Sequence, residues 1–182
     1  MVAHTVVDSP VGPLTLVARD GVLSGLYMTD QRYRPGEETF GARDASLLGD
    51  VVAQLAEYFA GTRTEFDVPL DLVGTPFQRS VWAELRSIPF GATVSYGELA
   101  RALGRPTAAR AVGLANGHNP ISIIVPCHRV VGSGGDLTGY GGGIARKRQL
   151  LDFESGASPL DLAVPAGAVH APTRTRSGAA TG

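Results

Sequence analysis

The chain has 182 residues, of which 43% are hydrophobic and 18% are charged, and its formal net charge at pH 7 is −1. This length and composition are ordinary for one globular domain or two small ones. No stretch approaches the roughly 18 apolar residues of a membrane helix, and the first residues lack the basic and apolar regions of a secretory signal.

The net charge hides an asymmetry along the chain. Residues 1–71 contain five arginines against 11 acidic residues, a net −6, and residues 72–154 contain nine basic against five acidic residues, a net +4. Residues 155–182 carry two arginines and one aspartate, a net +1. A basic segment beside an acidic one is compatible with a face that binds a polyanion, but ordinary surface variation explains the charge equally well.

Residues 1–71 are predicted to form a small β-sheet with one helix. Apolar runs indicate short strands at 5–7, 14–17 and 22–27. Asp20-Gly21, between the last two runs, is a hairpin signal. Residues 29–44 are polar and are predicted to form a loop. The apolar side chains from Leu47 to Phe59 have helical spacing, and Gly61 is expected to end that helix.

The segment 72–154 opens with a helix signal. Thr75 suits the N-cap and Pro76 the first helical position. An apolar stripe runs from Phe77 to Ile88, and Pro89 is expected to end it.

Two further helices are predicted to form a helix-turn-helix. The first starts at a capping box of Ser95 and Glu98 and should run to about Leu103, before Gly104. The second should cover 107–115, where five of nine residues are Ala or Gly and Arg110 is the one charge. Reading bases in the major groove needs several long polar side chains, so DNA binding by this helix would favour close minor-groove packing. Tight packing in a protein core is the alternative.

The next segment contains the only cysteine of the chain. Residues 116–120 are predicted to form a turn, and the apolar run 121–125 a strand that ends at Pro126, because proline cannot donate to a sheet. Cys127 and His128 follow directly, and a nearby imidazole is a common means of generating a nucleophilic thiolate. Free cysteine is also among the most buried residue types, so adjacency alone leaves a nucleophile and a buried hydrophobe both open.

A single cysteine excludes an intrachain disulfide and a multi-cysteine zinc site, and the four histidines show no ligand spacing. We therefore expect no metal, no cofactor and a cytoplasmic location. Glycine-rich loops are predicted around 134–135 and 139–143, and a last helix over 144–153. Residues 155–182 are rich in Ala, Gly, Ser, Thr and Pro and are predicted to be a disordered tail.

Four motifs of the second segment resemble, in the same order, those of the O6-alkylguanine–DNA alkyltransferases. They are Ser95-Tyr96-Gly97-Glu98-Leu99-Ala100, Ala108-Ala109-Arg110-Ala111-Val112-Gly113, Asn119-Pro120 and Pro126-Cys127-His128-Arg129-Val130. The resemblance is dense from about Gly74 to Glu154 and weaker over residues 1–73. It implies an α+β protein with a small N-terminal domain of sheet and helix at 1–71. A mostly helical C-terminal domain with a winged helix-turn-helix would occupy 72–154.

That family moves an alkyl group from O6 of guanine to one of its own cysteines, and the resemblance implies Cys127 as the acceptor. His128 resembles the base that deprotonates the thiol through a water, and Glu154 the carboxylate that orients this histidine. Tyr96 resembles the hydroxyl that donates to a ring nitrogen of the leaving guanine. Arg110 resembles the finger that fills the space of the flipped nucleotide, since O6 cannot meet a sulfur inside a duplex.

The resemblance also implies contacts to DNA and to the flipped base. The DNA contacts are expected from Thr75, Gln78, Ala109, Arg110, Ala111 and Gly113. The substrate pocket is expected from Asn119, Val130, Tyr140 and Gly141. Asn119 also resembles a hinge between the recognition helix and the active-site loop. Gly141 stands where some members carry Ser, so only its backbone N–H could serve there.

The implied function is direct repair of O6-alkylguanine in double-stranded DNA, and of O4-alkylthymine, by one irreversible transfer. A monomer with no membrane partner is expected, and cooperative binding along DNA is left open. Some members bind zinc through cysteines that residues 1–71 lack. Two other functions remain to be weighed. One is a non-catalytic lesion-binding module, as in a sister group that has Trp at the acceptor position. The other is a cysteine hydrolase, whose His usually lies far from its Cys in sequence.

Overall fold

The computed structural model describes residues 1–157, which begin with a four-stranded sheet in the order β3-β2-β1-β4. The strands are β1 Val2–Val7, β2 Leu14–Arg19, β3 Val22–Met28 and β4 Ala42–Arg43. The first three pair antiparallel, as the predicted strands require, and β4 lies parallel to β1. Asp20 and Gly21 have φ values of 50° and 80°, the left-handed conformation of a tight hairpin, so the predicted hairpin is confirmed.

The polar segment 29–44 is less uniform than predicted. It contains β4 and a short 3-10 helix at Glu37–Thr39, both too short for a sequence pattern to reveal. The predicted helix follows as α1 Gly49–Phe59, and Gly61, with a φ of 77°, stands just beyond its end. The helix buries Val51, Leu55, Tyr58 and Phe59 in the same core as the apolar side chains of β2 and β3.

Residues 76–154 contain four α-helices. They are α2 Pro76–Leu85, α3 Tyr96–Ala102, α4 Ala109–Gly117 and α5 Ile144–Glu154. Both predicted caps are confirmed, because Thr75 with Gln78 and Ser95 with Glu98 form complete capping boxes. Gly104, with a φ of 69°, makes the turn between α3 and α4 that the helix-turn-helix outline predicted.

Two helix ends differ from the sequence prediction. Helix α2 stops at Leu85 rather than at Ile88, and Ile88 is buried beyond the helix. Helix α4 includes Asn116 and Gly117, which had been assigned to a turn. Asn116 is buried in the last turn of α4, so tertiary packing carries the helix past residues of low helix propensity.

The predicted strand at 121–125 is wrong. Only Ile121 pairs with a strand, forming an isolated parallel bridge with Leu26, and Ile123 has a φ of 71° that no regular strand contains. The side chain of Asn119 donates to the carbonyls of Ile121 and Val125 at 3.3 and 2.7 Å, which closes the segment into a compact turn. Residues 121–131 are all buried, so the apolar run reflects burial on all sides rather than a strand.

Beyond this turn the chain forms a 3-10 helix at Cys127–Arg129 and then β6 Val130–Val131. Strand β6 pairs in parallel with β5 Val94–Ser95, directly before α3. The pairing places the start of α3 beside the cysteine segment.

The two halves share one apolar core and are joined by backbone hydrogen bonds. Leu26 N donates to Pro120 O at 2.8 Å, and Ser122 N donates to Leu26 O at 3.1 Å. These contacts do not test the domain boundary predicted between residues 71 and 72, which stays a prediction. Of the predicted tail, all but Ser155–Ala157 lies outside the described residues. Within residues 1–157 no helix is long and apolar enough to cross a membrane.

Candidate active site

Cys127 begins the 3-10 helix behind Pro126 and is a free thiol that is only 5% exposed. Its backbone is fixed on both sides, because Cys127 N donates to Val125 O at 2.8 Å and the amide of Asn116 donates to Cys127 O at 3.3 Å. Asn119, one helical turn after Asn116, holds the preceding turn. The sulfur is thus carried by a rigid loop rather than by a regular element.

His128 is fully buried and hydrogen bonded to Glu154, with 2.7 Å between Nε2 and Oε1. Glu154 is ionised and can only accept, so Nε2 carries the proton and donates it. The other ring nitrogen, Nδ1, is also buried and has no hydrogen-bond partner within residues 1–157. A neutral imidazole in this tautomer offers Nδ1 as a proton acceptor inside the protein.

Glu154 is held by more than His128. Tyr58 donates its hydroxyl to Oε1 at 2.8 Å, and Arg129 donates to Oε2 from Nε at 2.8 Å and to Oε1 from Nη2 at 2.9 Å. The remaining terminal nitrogen of Arg129 donates to Ile88 O at 2.7 Å. Burial alone would raise the pKa of Glu154, but the hydrogen bonds from His128 and Arg129 and the positive charge of Arg129 lower it to about 2. The carboxylate is therefore a permanent negative charge.

The thiol and the imidazole are both uncharged at neutral pH. Burial raises the pKa of Cys127, against the weaker opposite effects of the Asn119 amide and the Lys147 ammonium. Burial lowers the pKa of His128, and the contribution of Glu154 in the opposite direction does not overcome it. A resting thiol beside a neutral base is an arrangement that transfers a proton only when a reaction draws on it.

Lys147 is a buried cation that sequence reasoning missed. It lies on α5, is fully buried, and donates from Nζ to the carbonyls of Val130 and Thr138. Burial lowers its pKa to about 8. Its charge favours a thiolate at Cys127, and its two hydrogen bonds tie β6 to the glycine-rich loop.

Tyr96 stands at the start of α3, half buried, and donates its hydroxyl to Thr138 O at 3.0 Å. Burial raises its pKa, so the hydroxyl remains a donor at neutral pH. Gly113 of α4 lies against its ring, where an added Cβ would come within 3.6 Å of two ring carbons. This is an ordinary van der Waals distance, so α4 and the Tyr96 ring are in close packing range without a clash even for an alanine.

A cavity of about 420 Å³ separates α4 from the glycine-rich loop. Its lining includes Arg32, Tyr33, Arg110, Gly113, Tyr140 and Gly141. Two larger cavities, of about 540 and 520 Å³, lie against α1 and behind Arg129. Of these three cavities, the one of about 420 Å³ adjoins both the exposed face of α4 and the loop that Lys147 and Tyr96 hold.

The structure brings together most of the residues proposed from the sequence. Glu154 is hydrogen bonded to His128, which follows Cys127 in the same 3-10 helix; Asn119 binds the turn before that helix, and Val130 comes directly after it. Arg110 and Ala111 lie exposed on α4, and Ala109 and Gly113 are half buried there. Thr75 and Gln78 bind each other in a helix cap at the start of α2. That cap explains both residues without any contact to DNA.

Four residues around the site were not singled out from the sequence. They are Tyr58, Asn116, Arg129 and Lys147. Arg129 stood inside the quoted cysteine motif, but its partner is 25 residues away. Tyr58 carried only the signal of an apolar helix position.

Comparison with known proteins agrees with this arrangement. The model of the 6-O-methylguanine DNA methyltransferase ribonuclease-like domain matches residues 2–72, and that of the DNA binding domain matches residues 76–156. The chain belongs to the 6-O-methylguanine DNA methyltransferase family. The α+β fold with a helix-turn-helix domain, predicted from the sequence, is confirmed as the fold of this family.

Relatives match this chain over most of its length. The methylated-DNA–protein-cysteine methyltransferase of Mycobacterium bovis is 57% identical over 162 residues, which is 89% of this chain and 98% of that protein. The methyltransferase of the same description from Methanosarcina acetivorans is 42% identical over 151 residues, 83% of this chain and 97% of that one. Mycobacterium tuberculosis OGT, solved in complex with DNA, has a TM-score of 0.83 at 56% identity and covers 88% of this chain and 97% of its own.

Proposed function

We propose that this protein repairs double-stranded DNA by moving the alkyl group of O6-alkylguanine, or of O4-alkylthymine, to Sγ of its own Cys127. The bond between the sulfur and the alkyl carbon forms as the bond between that carbon and O6 breaks. The electron pair of the broken bond stays on the base, and the thiol proton ends, overall, on the released guanine. A thioether has no ready leaving group, so each molecule reacts once.

The buried group of Cys127, His128 and Glu154 is the observation that carries this proposal. The thiol must lose its proton before it attacks, because its pKa is raised by burial. The acceptor we assign is Nδ1 of His128, reached through one water. Glu154 holds the ring through Nε2 and stabilises the imidazolium that forms, which is the role of the carboxylate in a Ser-His-Asp triad.

The leaving base becomes negative as the alkyl group departs, and Tyr96 is the donor we assign to it. Its hydroxyl keeps its proton at neutral pH, because burial raises the pKa of Tyr96. In the DNA-free protein this hydroxyl binds Thr138 O, so it would exchange that carbonyl for a ring nitrogen of guanine. A neutral donor aimed at developing charge is a common source of transition-state stabilisation.

The substrate base has to leave the duplex to reach a buried sulfur. Helix α4 supports this step, because its long cation Arg110 is exposed and its neighbours Ala109, Ala111 and Gly113 are small. We assign Arg110 to the gap left by the flipped base. The pocket for that base would be formed by Tyr140, Gly141, Val130 and Asn119. We also propose that Thr75 and Gln78, at the start of α2, contact the DNA backbone.

We propose a cytoplasmic location for this protein, as the sequence led us to expect. We propose that it acts without a bound cofactor, and as a monomer.

Counting methyl groups tests the function. The protein is incubated with a tenfold excess of an O6-methylguanine duplex and analysed by intact and peptide mass spectrometry. One methyl group on Cys127 per protein, with no further consumption of the lesion, is the expected result. DNA binding without transfer would indicate a lesion-binding module, and repeated turnover a hydrolase, so either outcome would overturn the proposal. Cys127→Ser is the matched control: it should bind the duplex and transfer nothing.

A further inference from the structure

Tyr58 connects the N-terminal half of the chain to the catalytic carboxylate. It lies on α1, its side chain is fully buried, and its hydroxyl donates to Oε1 of Glu154 at 2.8 Å. Four phenylalanine rings fix its own ring at centroid distances of 5.1 to 5.4 Å for three of them and 6.0 Å for the fourth. These rings are Phe59, Phe66, Phe90 and Phe153. The hydroxyl is therefore presented to Glu154 in one orientation.

The same oxygen of Glu154 also accepts from His128. Three donors meet at Oε1, namely the Tyr58 hydroxyl, His128 Nε2 and Arg129 Nη2, at 2.8, 2.7 and 2.9 Å. Donors that share one oxygen divide its negative charge among them, so each weakens the acceptor available to the others. The hydrogen bond from His128 to Oε1 is therefore weaker while the Tyr58 hydroxyl donates to the same oxygen.

We propose that Tyr58 is a positioning residue for alkyl transfer, whose hydroxyl fixes the Glu154 carboxylate and sets the basicity of His128. This inference rests on the proposed function of the same site. It assigns the N-terminal half a part in the chemistry, although none of the residues assigned above to catalysis, to the flipped base or to DNA lies within residues 1–71.

The direction of the effect follows from the charges around the imidazole. The groups that face His128 and Glu154 are Tyr58, Cys127, Arg129, Tyr140 and Lys147. Removing the Tyr58 hydroxyl changes no formal charge, but it leaves more of the carboxylate's charge on the oxygen that binds His128. The imidazolium is then stabilised and the pKa of His128 rises. Because the base must be neutral to accept the thiol proton, the acid limb of the transfer reaction moves to higher pH.

The test is Tyr58→Phe, which keeps the ring and its four aromatic neighbours. Single-turnover transfer from an O6-methylguanine duplex is measured between pH 5 and 8. We expect one methyl group per protein, as in the wild type, with the acid limb raised by about 0.5 to 1 pH unit. Tyr27→Phe is the matched control, because Tyr27 is a buried tyrosine of the N-terminal sheet in a separate cluster with Val17 and Phe40. It should leave the limb unchanged.

A second measurement separates this inference from the proposed function. The ring nitrogens of His128 are titrated by ¹⁵N NMR in the DNA-free protein, so the result does not depend on any transfer. Tyr58→Phe should raise the pH at which the ring protonates, and 3-fluorotyrosine at position 58, a stronger donor, should lower it. Coincident titrations of all three proteins would overturn the inference even if transfer occurs. Opposite displacements would sustain the coupling even if the wild-type protein transferred nothing.

Discussion

Glu154→Gln is the substitution that tests the buried carboxylate most directly. Glutamine keeps the shape of the side chain but removes the charge that His128 and Arg129 bind. In the folded protein the pKa of Glu154 is about 2, against 4.5 for a free glutamate. At 1.36 kcal/mol for each unit of pKa, the ionised form stabilises the fold by about 3 kcal/mol at pH 7. Removing one partner of a buried ion pair costs a similar amount, about 3 to 5 kcal/mol.

The pH dependence of this loss has a defined sign. The pKa is lower in the folded chain than in the unfolded chain, so the stabilisation is complete above about pH 4.5 and is lost as the pH falls towards 2. At pH 3.5 the unfolded carboxyl is mostly protonated while the folded one is still ionised, and the contribution is about 2 kcal/mol. Glutamine resembles the protonated form at every pH, so the difference between the two proteins should shrink in acid.

The assay is urea unfolding of both proteins at pH 7 and pH 3.5. We expect Glu154→Gln to lower the free energy of unfolding by about 3 kcal/mol at pH 7 and by about 2 kcal/mol at pH 3.5. Glu57→Gln is the control, because Glu57 forms an exposed ion pair with Arg63 that should contribute less than about 1 kcal/mol at both pH values. A loss below about 1 kcal/mol at pH 7, or one that does not shrink in acid, would refute the reasoning.

Four further substitutions test single residues of the helix-turn-helix half and of the N-terminal sheet. Arg110→Ala should slow transfer from duplex DNA at least tenfold more than transfer from free O6-benzylguanine, which needs no flipping; equal losses in the two rate measurements would remove the finger role. Thr75→Ala should lower the free energy of thermal unfolding by about 1 kcal/mol, because the helix cap is lost. If the variant also binds duplex DNA more weakly than the wild type at the same salt concentration, Thr75 contacts DNA as well. Gly41→Ala should lower stability by more than 2 kcal/mol, because an added Cβ meets the carbonyl of Val2 at a positive φ of 70°. Gly21→Ala, with open space around it, should cost about 1 kcal/mol, and equal melting temperatures for the two variants would contradict this account.

Local signals were the reliable part of the sequence. The two capping boxes, the hairpin at Asp20-Gly21 and the turn at Gly104 each depend on side chains or backbone angles within a few residues of one another. Such features form wherever the residues occur, so a pattern predicts them. The ends of α2 and α4 were less predictable because they depend on what packs against them.

The segment before Cys127 shows why the rest could not be read. A five-residue run that is apolar except for Ser122 suits a buried strand and a buried turn equally well. The deciding interactions are made by the Asn119 side chain. It donates to two carbonyls of its own loop, which in a strand would accept from a neighbouring strand. An Asn-Pro pair is common in turns, and nothing in its spacing reveals which carbonyls it will reach.

The candidate site was predictable only where a family motif marked it. Cys127 and His128 stand together in the sequence, but Glu154 was assigned by resemblance alone. Tyr58 lies 96 residues from the carboxylate that it binds. Lys147 joins β6 to the glycine-rich loop, and nothing in the sequence around Lys147 indicates these two contacts. Contacts of this range depend on how the sheet and helices pack, which no local pattern encodes.

The pairing of Leu26 with Pro120 and Ser122 has a consequence for how the molecule is made. Strand β3 lies at one edge of the sheet, and the part of that edge at Leu26 is occupied by the segment leading to the cysteine. During synthesis that part of the edge stays bare until Ser122 has left the ribosome, and bare edges recruit other chains. A fragment of residues 1–71 should therefore aggregate on its own. The segment before Cys127 is held in place by β3, so we expect Cys127 to become reactive only after residues 120–122 have paired with Leu26.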